Sequence, residues 1–508
     1  MKHIKFIVAL VYTLLVTLSA CSDKDKGDSY ETNFVLEKES LHFMQQANEN
    51  SFRVKSSYFP EVSCDQDWVD LKISALTATI YQLVVNVKNN SSGNDRTATI
   101  TVKSRGESKE CIIEQSAIQG RSAYEVAEWL GMGWNPGNQM DAYKNGVADE
   151  ICDGGVYLTQ LLFDKVKAAG FTSVRLPVTW FGHIGDAPDY KIDDRLERVA
   201  EIVGYAENAG LNIIINIHHD GSGGYGYWLD FKGAANSVTK NAEVVDQFTK
   251  VWTQIAERFV DTGDFLIFES MNEIHDGDWG WGANLTDNGH QYRLVNEWNQ
   301  AFVDAVRATG GKNRTRYLGI PGMCGGWELI DHMVLPKDPT VGRLLVSVHC
   351  YEPGDFTSEY IDGDGNLSYY TEWGHTASED KRSPNGRNEE DLNDIFRGLK
   401  EKFIDNNIPV YIGEYTCTNR ATEREEAFRR YYLEYFCKSA HDNGLSTFFW
   451  DNSGKGTGLG QGAIFDRATG EFVRENKLAV EGMRRAVFDN DSQYTLQSIY
   501  ERAPEKVE

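Results

Sequence analysis

Two glutamates, each at the end of an apolar segment, could carry out proton transfer and nucleophilic attack in this 508-residue chain. Glu273 ends the segment FLIFESMNE, and Glu414 lies in the segment IPVYIGEY. Two carboxyl groups that flank a small gap can cleave a glycosidic bond: one protonates the leaving oxygen, and the other, ionised, attacks or assists at the anomeric carbon. Their environments must separate the two pKa values, because a glutamate titrates near about 4.3 in water.

The segments that carry these glutamates alternate with amphipathic stretches from about residue 121 onward, with apolar residues at three- and four-residue spacing. Eight such strand–helix units predict an α/β fold, a (β/α)8 TIM barrel over residues 121–492. A doubly wound open sheet is the alternative, but GMGWNPGNQMD after the first strand does not match its GxGxxG turn. The eight runs are LGMGWN, TSVRLPVTW, LNIIINIHHD, FLIFESMNE, RYLGIPG, LLVSVHCYEP, IPVYIGEY and STFFWDN.

Polar side chains collect at the carboxyl ends of the predicted strands, the rim where barrel enzymes place their reacting groups. Arg175 and Tyr351 are expected to hold Glu414 ionised, by charge and by hydrogen bond. Glu273 has fewer such partners and would keep its proton, while Asn272 beside it could bond a sugar hydroxyl. The rim residues are Asn138, Arg175, His218, His219, Asp220, Asn272, Glu273, His349, Tyr351, Glu414 and Trp450.

Two further acidic residues near Glu273 are interpreted differently. Glu269 lies within the strand, four residues earlier, and is expected to make a structural bond below the cleft. Asp276 belongs to the loop HDGDWGWG, which is too polar and glycine-rich for a core segment. Trp279 and Trp281 in that loop are therefore predicted to line the cleft and to stack on sugars. Trp228 and Trp373 are candidate stacking platforms as well, with core packing as the alternative for each.

Residues 121–490 resemble glycoside hydrolase family 5, a family of retaining (β/α)8 glycosidases. SMNE resembles the family's acid/base motif and VYIGEY its nucleophile strand, and VRLPVTW, NIIINIHHD, VHCYEP and FFWDN follow in the family's order. GWNPGNQMD is similar to the family's opening GWNLGNTLD, with Pro136 and Gln139 as departures. The resemblance implies that Glu273 is the acid/base and Glu414 the nucleophile. It implies supporting roles for Asn272, Arg175, His218, His349 and Tyr351, with Trp450 as the floor under the reacting sugar.

The HHD triplet allows more than one interpretation. Adjacent side chains of a strand point to opposite faces, so His218 and His219 both face the cleft only if the strand has ended. His218 matches the family's histidine, and His219 is a second candidate. A metal site of His218, His219 and Asp220 is an alternative, but the usual ligand spacing is missing and the family needs no metal and no cofactor.

The series from VTW through HIGDAPDYKIDDRLERV to INIHHD resembles a subfamily of endo-β-1,4-glucanases that includes cellulases, lichenases and xyloglucanases. The resemblance implies a retaining, endo-acting hydrolase of plant cell-wall polysaccharide. The WGNP segment typical of the first loop is replaced by EICDGGVYLT at residues 150–159, which weakens the transfer of substrate specificity. The alternatives are the same mechanism on xylan or mannan, a surface glycan-binding protein that has lost activity, and a metal-dependent barrel hydrolase.

Residues 31–118 show short alternating strands and polar turns, which predict a small all-β, immunoglobulin-like sandwich. Trp68, VKNNSSGNDRTATITV and IIEQSA resemble a BACON domain, a module found in front of bacterial glycan-degrading enzymes. Such a module is interpreted as a spacer, or alternatively as a carbohydrate-binding module. A disulfide between Cys64 and Cys111 is possible within it. Residues 493–508 are interpreted as a C-terminal tail.

The first twenty residues have the basic start and the short apolar run of a cleaved signal peptide. The junction LSAC resembles a bacterial lipobox, which implies lipidation at Cys21, with an ordinary secretory signal as the alternative. Residues 21–30 would then be a flexible tether, and we expect a Bacteroides-type outer-membrane or cell-surface lipoprotein, attached to the membrane only through its lipid. A formal net charge of −25 argues against binding nucleic acid, and we expect a monomer.

Overall fold

The structure is a computed structural model that describes residues 34–43, 48–88, 90, 95–116, 120–152, 155–221, 227–277, 287–384 and 386–505. Cys21, the predicted signal peptide, Trp279 and Trp281 therefore lie outside the described residues. The chain forms two compact units, one within residues up to 114 and one that contains all residues from 115 onward.

The described residues between 34 and 116 form two four-stranded sheets, ordered β1-β3-β6-β5 and β2-β8-β7-β4. Alternate side chains of β6 and β7 are buried, as expected for strands that cover a core on one face. The predicted all-β fold is confirmed, but β4 and β5 were missed because most of their side chains remain partly or fully exposed. The strands are β1 (Val35–Leu36), β2 (Ser40–Phe43), β3 (Asn48–Lys55), β4 (Glu61–Cys64), β5 (Val69–Ala75), β6 (Ile80–Val87), β7 (Arg96–Ser104) and β8 (Glu107–Gln115).

The possible disulfide between Cys64 and Cys111 is wrong, because both residues are free thiols. Cys64 lies on β4 and Cys111 on β8, and β7 separates these strands in the sheet. Two strand spacings are about 9–10 Å. Cα atoms more than about 7 Å apart cannot be bridged without moving the backbone.

The second unit contains a closed barrel of eight parallel strands in the order β12-β13-β14-β15-β16-β19-β20-β9, so the predicted (β/α)8 fold is confirmed. Each of the eight apolar runs contains one barrel strand. Two short strand pairs, β10 with β11 and β17 with β18, lie in the connecting loops. The strands are β9 (Met132–Pro136), β10 (Tyr143–Lys144), β11 (Val147–Ala148), β12 (Ser173–Leu176), β13 (Asn212–Asn216), β14 (Leu266–Glu269), β15 (Leu318–Gly326), β16 (Leu344–His349), β17 (Tyr360–Ile361), β18 (Leu367–Ser368), β19 (Val410–Tyr415) and β20 (Ser446–Asp451).

Helices connect the barrel strands, and several begin at the side-chain caps that their sequences predict. Thr422 and Glu425 form a capping box at the start of α9, where each side chain bonds the other residue's backbone N–H. The helices are α1 (Ala123–Leu130), α2 (Gln160–Ala168), α3 (Arg195–Ala209), α4 (Phe231–Asn236), α5 (Val238–Arg258), α6 (His290–Ala308), α7 (Gly354–Thr357), α8 (Glu389–Lys402), α9 (Glu423–Asp442), α10 (Asn476–Phe488) and α11 (Leu496–Tyr500).

The described part of the segment interpreted as a tail, residues 493–505, contains α11 and packs on the barrel. Ile499 is buried, and the Tyr494 hydroxyl donates to Glu434 on α9 at 2.7 Å. Arg424, also on α9, donates to the carbonyl of Glu505 at 2.8 Å. These contacts hold the segment against α9.

Candidate active site

A layer of buried polar side chains lies above the apolar layer inside the barrel. Side chains of a strand alternate between two faces, so the residue two positions further along lies one level higher on the same face. Ile214 is followed in this way by Asn216, and Ile267 by Glu269, and the two pairs are in register on neighbouring strands. The polar layer consists of Asn135, Arg175, Asn216, Glu269 and Ser347, each at most 1% exposed.

Glu414 lies above this layer with both carboxylate oxygens hydrogen-bonded. Arg175 donates from Nη1 to Oε1 at 2.8 Å, and the Tyr351 hydroxyl donates to Oε2 at 2.7 Å. Burial and the nearby carboxylates raise the pKa of Tyr351 well above its usual value, so the phenol stays protonated and remains a donor. A permanent cation and a phenol donor thus face the two oxygens of Glu414, an arrangement suited to a carboxylate that acts as a nucleophile.

Glu273 lies across the rim from Glu414 in a different environment. Its Oε1 is 2.6 Å from Nδ1 of His349, and no arginine or lysine is paired with it among the described residues. Burial alone would lower the pKa of His349, but the charges of Glu414 and Glu273 outweigh burial and raise it. Glu273 therefore has a partner that can exchange a proton, whereas Glu414 is held by a permanent cation.

The two carboxyl groups are close enough for a retaining mechanism. One carboxylate oxygen of Glu273, one of Glu414 and a ring nitrogen of His349 all lie within 4.8 Å of one another. Retaining glycosidases hold their carboxyl groups about 5–5.5 Å apart, and inverting enzymes about 6.5–9.5 Å. An inverting mechanism would require room for a water molecule as well as the sugar ring between the two carboxyl groups. The observed separation is too short for both.

Arg175 connects Glu414 with the residues around it. Its Nη2 donates to Oδ1 of Asn272 at 2.7 Å and to Glu269 at 2.6 Å. With its oxygen bound to Arg175, the Asn272 amide has its NH2 group available as a donor to a sugar hydroxyl. Glu269 makes its bonds below the cleft, as predicted.

His218 and His219 both lie near the cleft because β13 ends at Asn216, before either of them. His218 is buried, with Nε2 4.0 Å from Glu414, and its ring is nearly parallel to that of Trp450. His219 Nε2 is 3.5 Å from Asp141; burial alone would lower the pKa of His219, but the hydrogen bond and charge of Asp141 raise it.

Asp220 does not join the two histidines as a ligand, because its carboxylate is already bonded elsewhere. It accepts hydrogen bonds from the Trp180 backbone and from Trp228 Nε1, the latter at 2.6 Å. The three side chains of the HHD triplet therefore do not converge on one point.

Trp450 and Asn138 line the opposite side of the cleft from Glu273. Gly137 permits the position of the Trp450 ring, because a Cβ at that glycine would lie only 2.6 Å from it. Trp450 is half-buried, and its ring is stacked on His218, which itself lies 4.0 Å from Glu414. The Asn138 amide donates to the carbonyl of Asn452 at 3.1 Å, and the side chain is exposed.

The predictions for the four loop tryptophans differ in their outcome. Trp373 is buried, donates to the carbonyl of Arg387 and packs against Tyr432, so its prediction as a stacking platform is wrong. Trp228 is half-buried and bonded to Asp220, which indicates a structural role. Trp279 and Trp281 lie outside the described residues and stay predictions. Asp276, in the same loop, accepts a hydrogen bond from Gln291 at 3.2 Å.

Two cavities open on opposite halves of the rim. One of about 720 Å³ is lined by Glu273, Glu414 and loops after β14, β15 and β16, including Trp327 and Glu359. The other, of about 550 Å³, is lined by residues after β9, β13 and β20, including Asn138, His219 and Lys455. The carboxyl pair thus lines the first of these cavities.

Sequence reasoning predicted Arg175 and Glu269 but missed the other members of the polar layer, although the sequence carries a signal for two of them. Asn216 precedes His218 by two residues, and Ser347 precedes His349 by two. The period of two therefore predicts that each lies on the same face as its rim residue, one level lower. Asn135 was missed as well, and its amide donates to the carbonyl of Gly413 at 3.0 Å.

Tyr411 was also missed, because a tyrosine within an apolar strand is indistinguishable from core packing in the sequence. Its hydroxyl donates to Oε2 of Glu269 at 2.5 Å. The neighbouring strand provides the space for it: a Cβ at Gly319 would collide with this hydroxyl.

Comparisons with known proteins agree with this geometry. Residues 139–456 match the family model for cellulase (glycosyl hydrolase family 5), and residues 57–116 match the BACON model, described as a putative N-terminal binding domain. A xyloglucan-specific endo-β-1,4-glucanase of Bacteroides ovatus is 31% identical over 92% of this chain and 94% of its own. Endoglucanase A of Paenibacillus barcinonensis is 34% identical over 72% of this chain and 92% of its own.

Solved structures are similar as well. A broad-specificity endoglucanase from Bacteroides salanitronis is 53% identical, with a TM-score of 0.69, over 73% of this chain and 97% of its own. A Bacteroidetes-affiliated cellulase linked with a polysaccharide utilization locus is 43% identical, with a TM-score of 0.73, over 76% of this chain and 99% of its own.

The closed barrel and the paired carboxyl groups at its rim define a (β/α)8 glycoside hydrolase. The chain belongs to glycosyl hydrolase family 5, a retaining family, and is a hydrolase of the endoglucanase type.

Proposed function

We propose that the protein cleaves β-1,4-glucans of the plant cell wall within the chain, with Glu414 as the nucleophile and Glu273 as the acid/base. The observation that carries the assignment is the asymmetry of the close carboxyl pair. Glu414 is bonded to Arg175 and Tyr351, whereas Glu273 is paired only with His349 among the described residues. The carboxylate paired with a permanent cation attacks, and the carboxyl group beside a histidine that can exchange a proton donates it.

In the first step an oxygen of Glu414 attacks the anomeric carbon of the glucosyl unit above Trp450. The bond to the leaving oxygen breaks, and Glu273 gives its proton to that oxygen. As negative charge leaves Glu414, Arg175 keeps its bonds to Glu269 and Asn272 and so remains in position. The product of this step is a glycosyl-enzyme ester on Glu414.

In the second step Glu273, now ionised, takes a proton from a water molecule whose oxygen attacks the same carbon. The ester bond breaks, Glu414 recovers its negative charge, and Arg175 and Tyr351 stabilise it again. Two inversions at one carbon give net retention. Asn272 has an NH2 group free to bond the hydroxyl beside the reacting carbon in both steps.

The position of the carboxyl pair supports cleavage within a polymer. Glu273 and Glu414 line one cavity of the rim, and a second cavity with His219 and Asn138 lies at the same rim, so we propose that sugar units are bound on either side of the scissile bond. Several relatives are named as endoglucanases, and one is named as specific for xyloglucan. We therefore propose that the substrates are cellulose-type β-1,4-glucan, mixed-linkage glucan and xyloglucan.

A polysaccharide panel tests this proposal. We expect rapid loss of viscosity and a ladder of oligosaccharides from carboxymethyl cellulose, mixed-linkage glucan and xyloglucan, and little product from xylan or mannan. Proton NMR of the first products should show the β-anomer before mutarotation. Preferential cleavage of xylan or mannan would show that the main substrate is not a β-1,4-glucan. First products with the α-configuration would contradict the double-displacement mechanism.

The same panel separates the enzyme from a binding protein that has lost activity. Such a protein would retain polysaccharide affinity without releasing reducing ends from any of the polymers. The close Glu273–Glu414 pair supports the enzyme, because binding alone does not need two carboxyl groups in this arrangement.

We also propose that the mature chain begins at Cys21, is lipidated there and is held at the outer membrane or cell surface as a monomer. LSAC and the polar residues after it support this proposal. Among the described residues no helix is long and apolar enough to cross a bilayer. A lipid at Cys21 would account for membrane attachment without such a helix.

Replacing Cys21 by serine tests the anchor. In the native host, we expect Cys21→Ser to abolish incorporation of labelled palmitate and to move the enzyme from the membrane fraction to the soluble fraction. Specific activity on soluble β-glucan should be unchanged, since the tether is remote in sequence from the barrel. Cys64→Ser is the matched control and should keep the label. Labelling that persists in Cys21→Ser would disprove lipidation at this residue.

A further inference from the structure

Glu269 is a buried anion that neither step of the hydrolysis uses directly. It lies at the end of β14 with no exposed surface, and its two carboxylate oxygens accept hydrogen bonds from four different side chains. The donors are Arg175, Asn216, Ser347 and Tyr411. A carboxylate satisfied in this way is ionised. Burial alone would raise the pKa of Glu269, but the charge and hydrogen bonds of Arg175 outweigh burial and lower it.

The first consequence of this anion concerns Arg175. The guanidinium places Nε and Nη2 on Glu269, at 3.0 and 2.6 Å, and Nη1 on Glu414 at 2.8 Å. The planar group is thus held by its lower edge and presents one N–H to the nucleophile. Arg175 is paired with both Glu269 and Glu414. It therefore attracts Glu414 less strongly than it would attract a single carboxylate partner.

The second consequence concerns the tautomer of His218. A carboxylate can only accept, so the Asn216 NH2 group must face Glu269, at 3.0 Å. The Asn216 oxygen accepts from the Val178 backbone, at 3.0 Å, which agrees with that orientation. The same NH2 group is 3.1 Å from Nδ1 of His218. Nδ1 must therefore accept, which leaves the proton of the neutral ring on Nε2, the nitrogen nearer Glu414.

Burial and the neighbouring charges of His219 and Arg175 lower the pKa of His218 well below its usual value, so the ring is neutral. We propose that Glu269 is a positioning residue of this active site: one buried carboxylate that orients Arg175, limits its attraction for Glu414, and sets the tautomer of His218 through Asn216. The proposal rests on the proposed function, since it assigns Glu414 as the nucleophile.

Several charged or titratable groups face Glu269 and Glu414. They are Arg175, His218, His219, Glu273, His349, Tyr351 and Tyr411. None of them is removed when Glu269 alone is replaced, so a change in the pH profile reports the loss of this carboxylate.

Glu269→Gln removes the negative charge and keeps the size of the side chain. Arg175 then has Glu414 as its single carboxylate partner, and the ionised nucleophile is held more strongly. We expect the acidic limb of the pH profile of kcat/KM to move to lower pH by about one unit. We expect kcat to fall about 10- to 100-fold, because the nucleophile is less reactive and its supports are less well oriented.

Two control variants separate positioning from stability. Glu372→Gln removes another fully buried carboxylate that accepts two bonds from one arginine, Arg424, and that lines neither cavity. It should lower the melting temperature and leave the pH profile unchanged. Glu269→Asp keeps the charge and should restore the acidic limb to its wild-type position. An acidic limb that stays in place or moves upward in folded Glu269→Gln would overturn the proposal.

A measurement on the unsubstituted protein tests the tautomer and does not depend on the folding of a variant. In ¹⁵N-histidine-labelled enzyme, with His218→Gln used for assignment, we expect the proton of His218 on Nε2 at neutral pH. A proton on Nδ1 would overturn the proposed link through Asn216. Failure of the proposed function would appear differently, as an inactive wild-type enzyme on every β-1,4-glucan.

Discussion

Replacement of Glu414 by glutamine is expected to lower the hydrolysis of β-1,4-glucan by about four to six orders of magnitude. The amide has nearly the same shape, but it cannot form the ester intermediate, and losses of this size occur when a nucleophile that acts with its partners is removed. The variant should fold, because Arg175 can still donate to the amide oxygen and the Tyr351 hydroxyl can accept from the amide NH2 group. Initial-rate assays on mixed-linkage glucan with released reducing ends measure the effect.

Two further measurements make the result specific to nucleophilic attack. In Glu414→Ala, added azide can attack the anomeric carbon directly from the vacated side and should give an α-glycosyl azide from an activated aryl cellobioside. Glu372→Gln, which removes a buried glutamate away from both cavities, should retain near wild-type turnover. Turnover within tenfold of wild type in Glu414→Gln would show that another group attacks.

Replacement of Glu273 by alanine is expected to reduce hydrolysis of polysaccharide by about 10²- to 10⁴-fold, the range for loss of a general acid and base. The effect should depend on the leaving group. A dinitrophenyl cellobioside needs no proton to depart, so its first step should remain fast and the glycosyl-enzyme should accumulate. A burst of dinitrophenol followed by slow turnover measures this, and mass spectrometry should locate the sugar on Glu414.

Azide should also rescue Glu273→Ala, but with the opposite stereochemistry to that in Glu414→Ala. A small anion can take the place of the activated water and attack the glycosyl-enzyme, which gives a β-glycosyl azide. Equal loss of activity on polysaccharide and on the activated substrate, without a burst, would contradict the acid/base role. His349→Gln keeps a polar partner beside Glu273 and should show a smaller loss than Glu273→Ala.

Most of the barrel could be predicted because its signals are local. A run of four to eight apolar residues followed by an amphipathic stretch is a property of neighbouring residues, and each of the eight runs contains a barrel strand. The edge strands β4 and β5 were not found in this way: β4 has only four residues, and β5 alternates apolar and polar residues in VDLKISA but has no continuous apolar run. The possible disulfide was wrong because sequence does not reveal that β7 lies between β4 and β8.

Prediction from the sequence is limited in a similar way for the aromatic residues. A tryptophan in a polar loop has the same sequence environment whether it lies on a cleft wall or folds back into the core. Trp373 does the latter: it packs on Tyr432 of α9, a residue 59 positions away along the printed sequence. The contact depends on how α9 packs on the barrel, which no pattern around Trp373 encodes.

The sequence by itself determined that Glu273 and Glu414 lie near the carboxyl ends of barrel strands and reach one rim, because strand direction and the barrel's closure require it. The sequence also predicted Arg175 and Tyr351 as partners of Glu414, but only the tertiary structure decided the geometry of these contacts and the pairing of Glu273 with His349. Arg175 and Tyr351 come from separate strands to hold Glu414, while Glu273 has His349. The difference depends on distances of a few ångströms between residues far apart in the chain, and electrostatic effects on a carboxyl group are set by such distances and by burial.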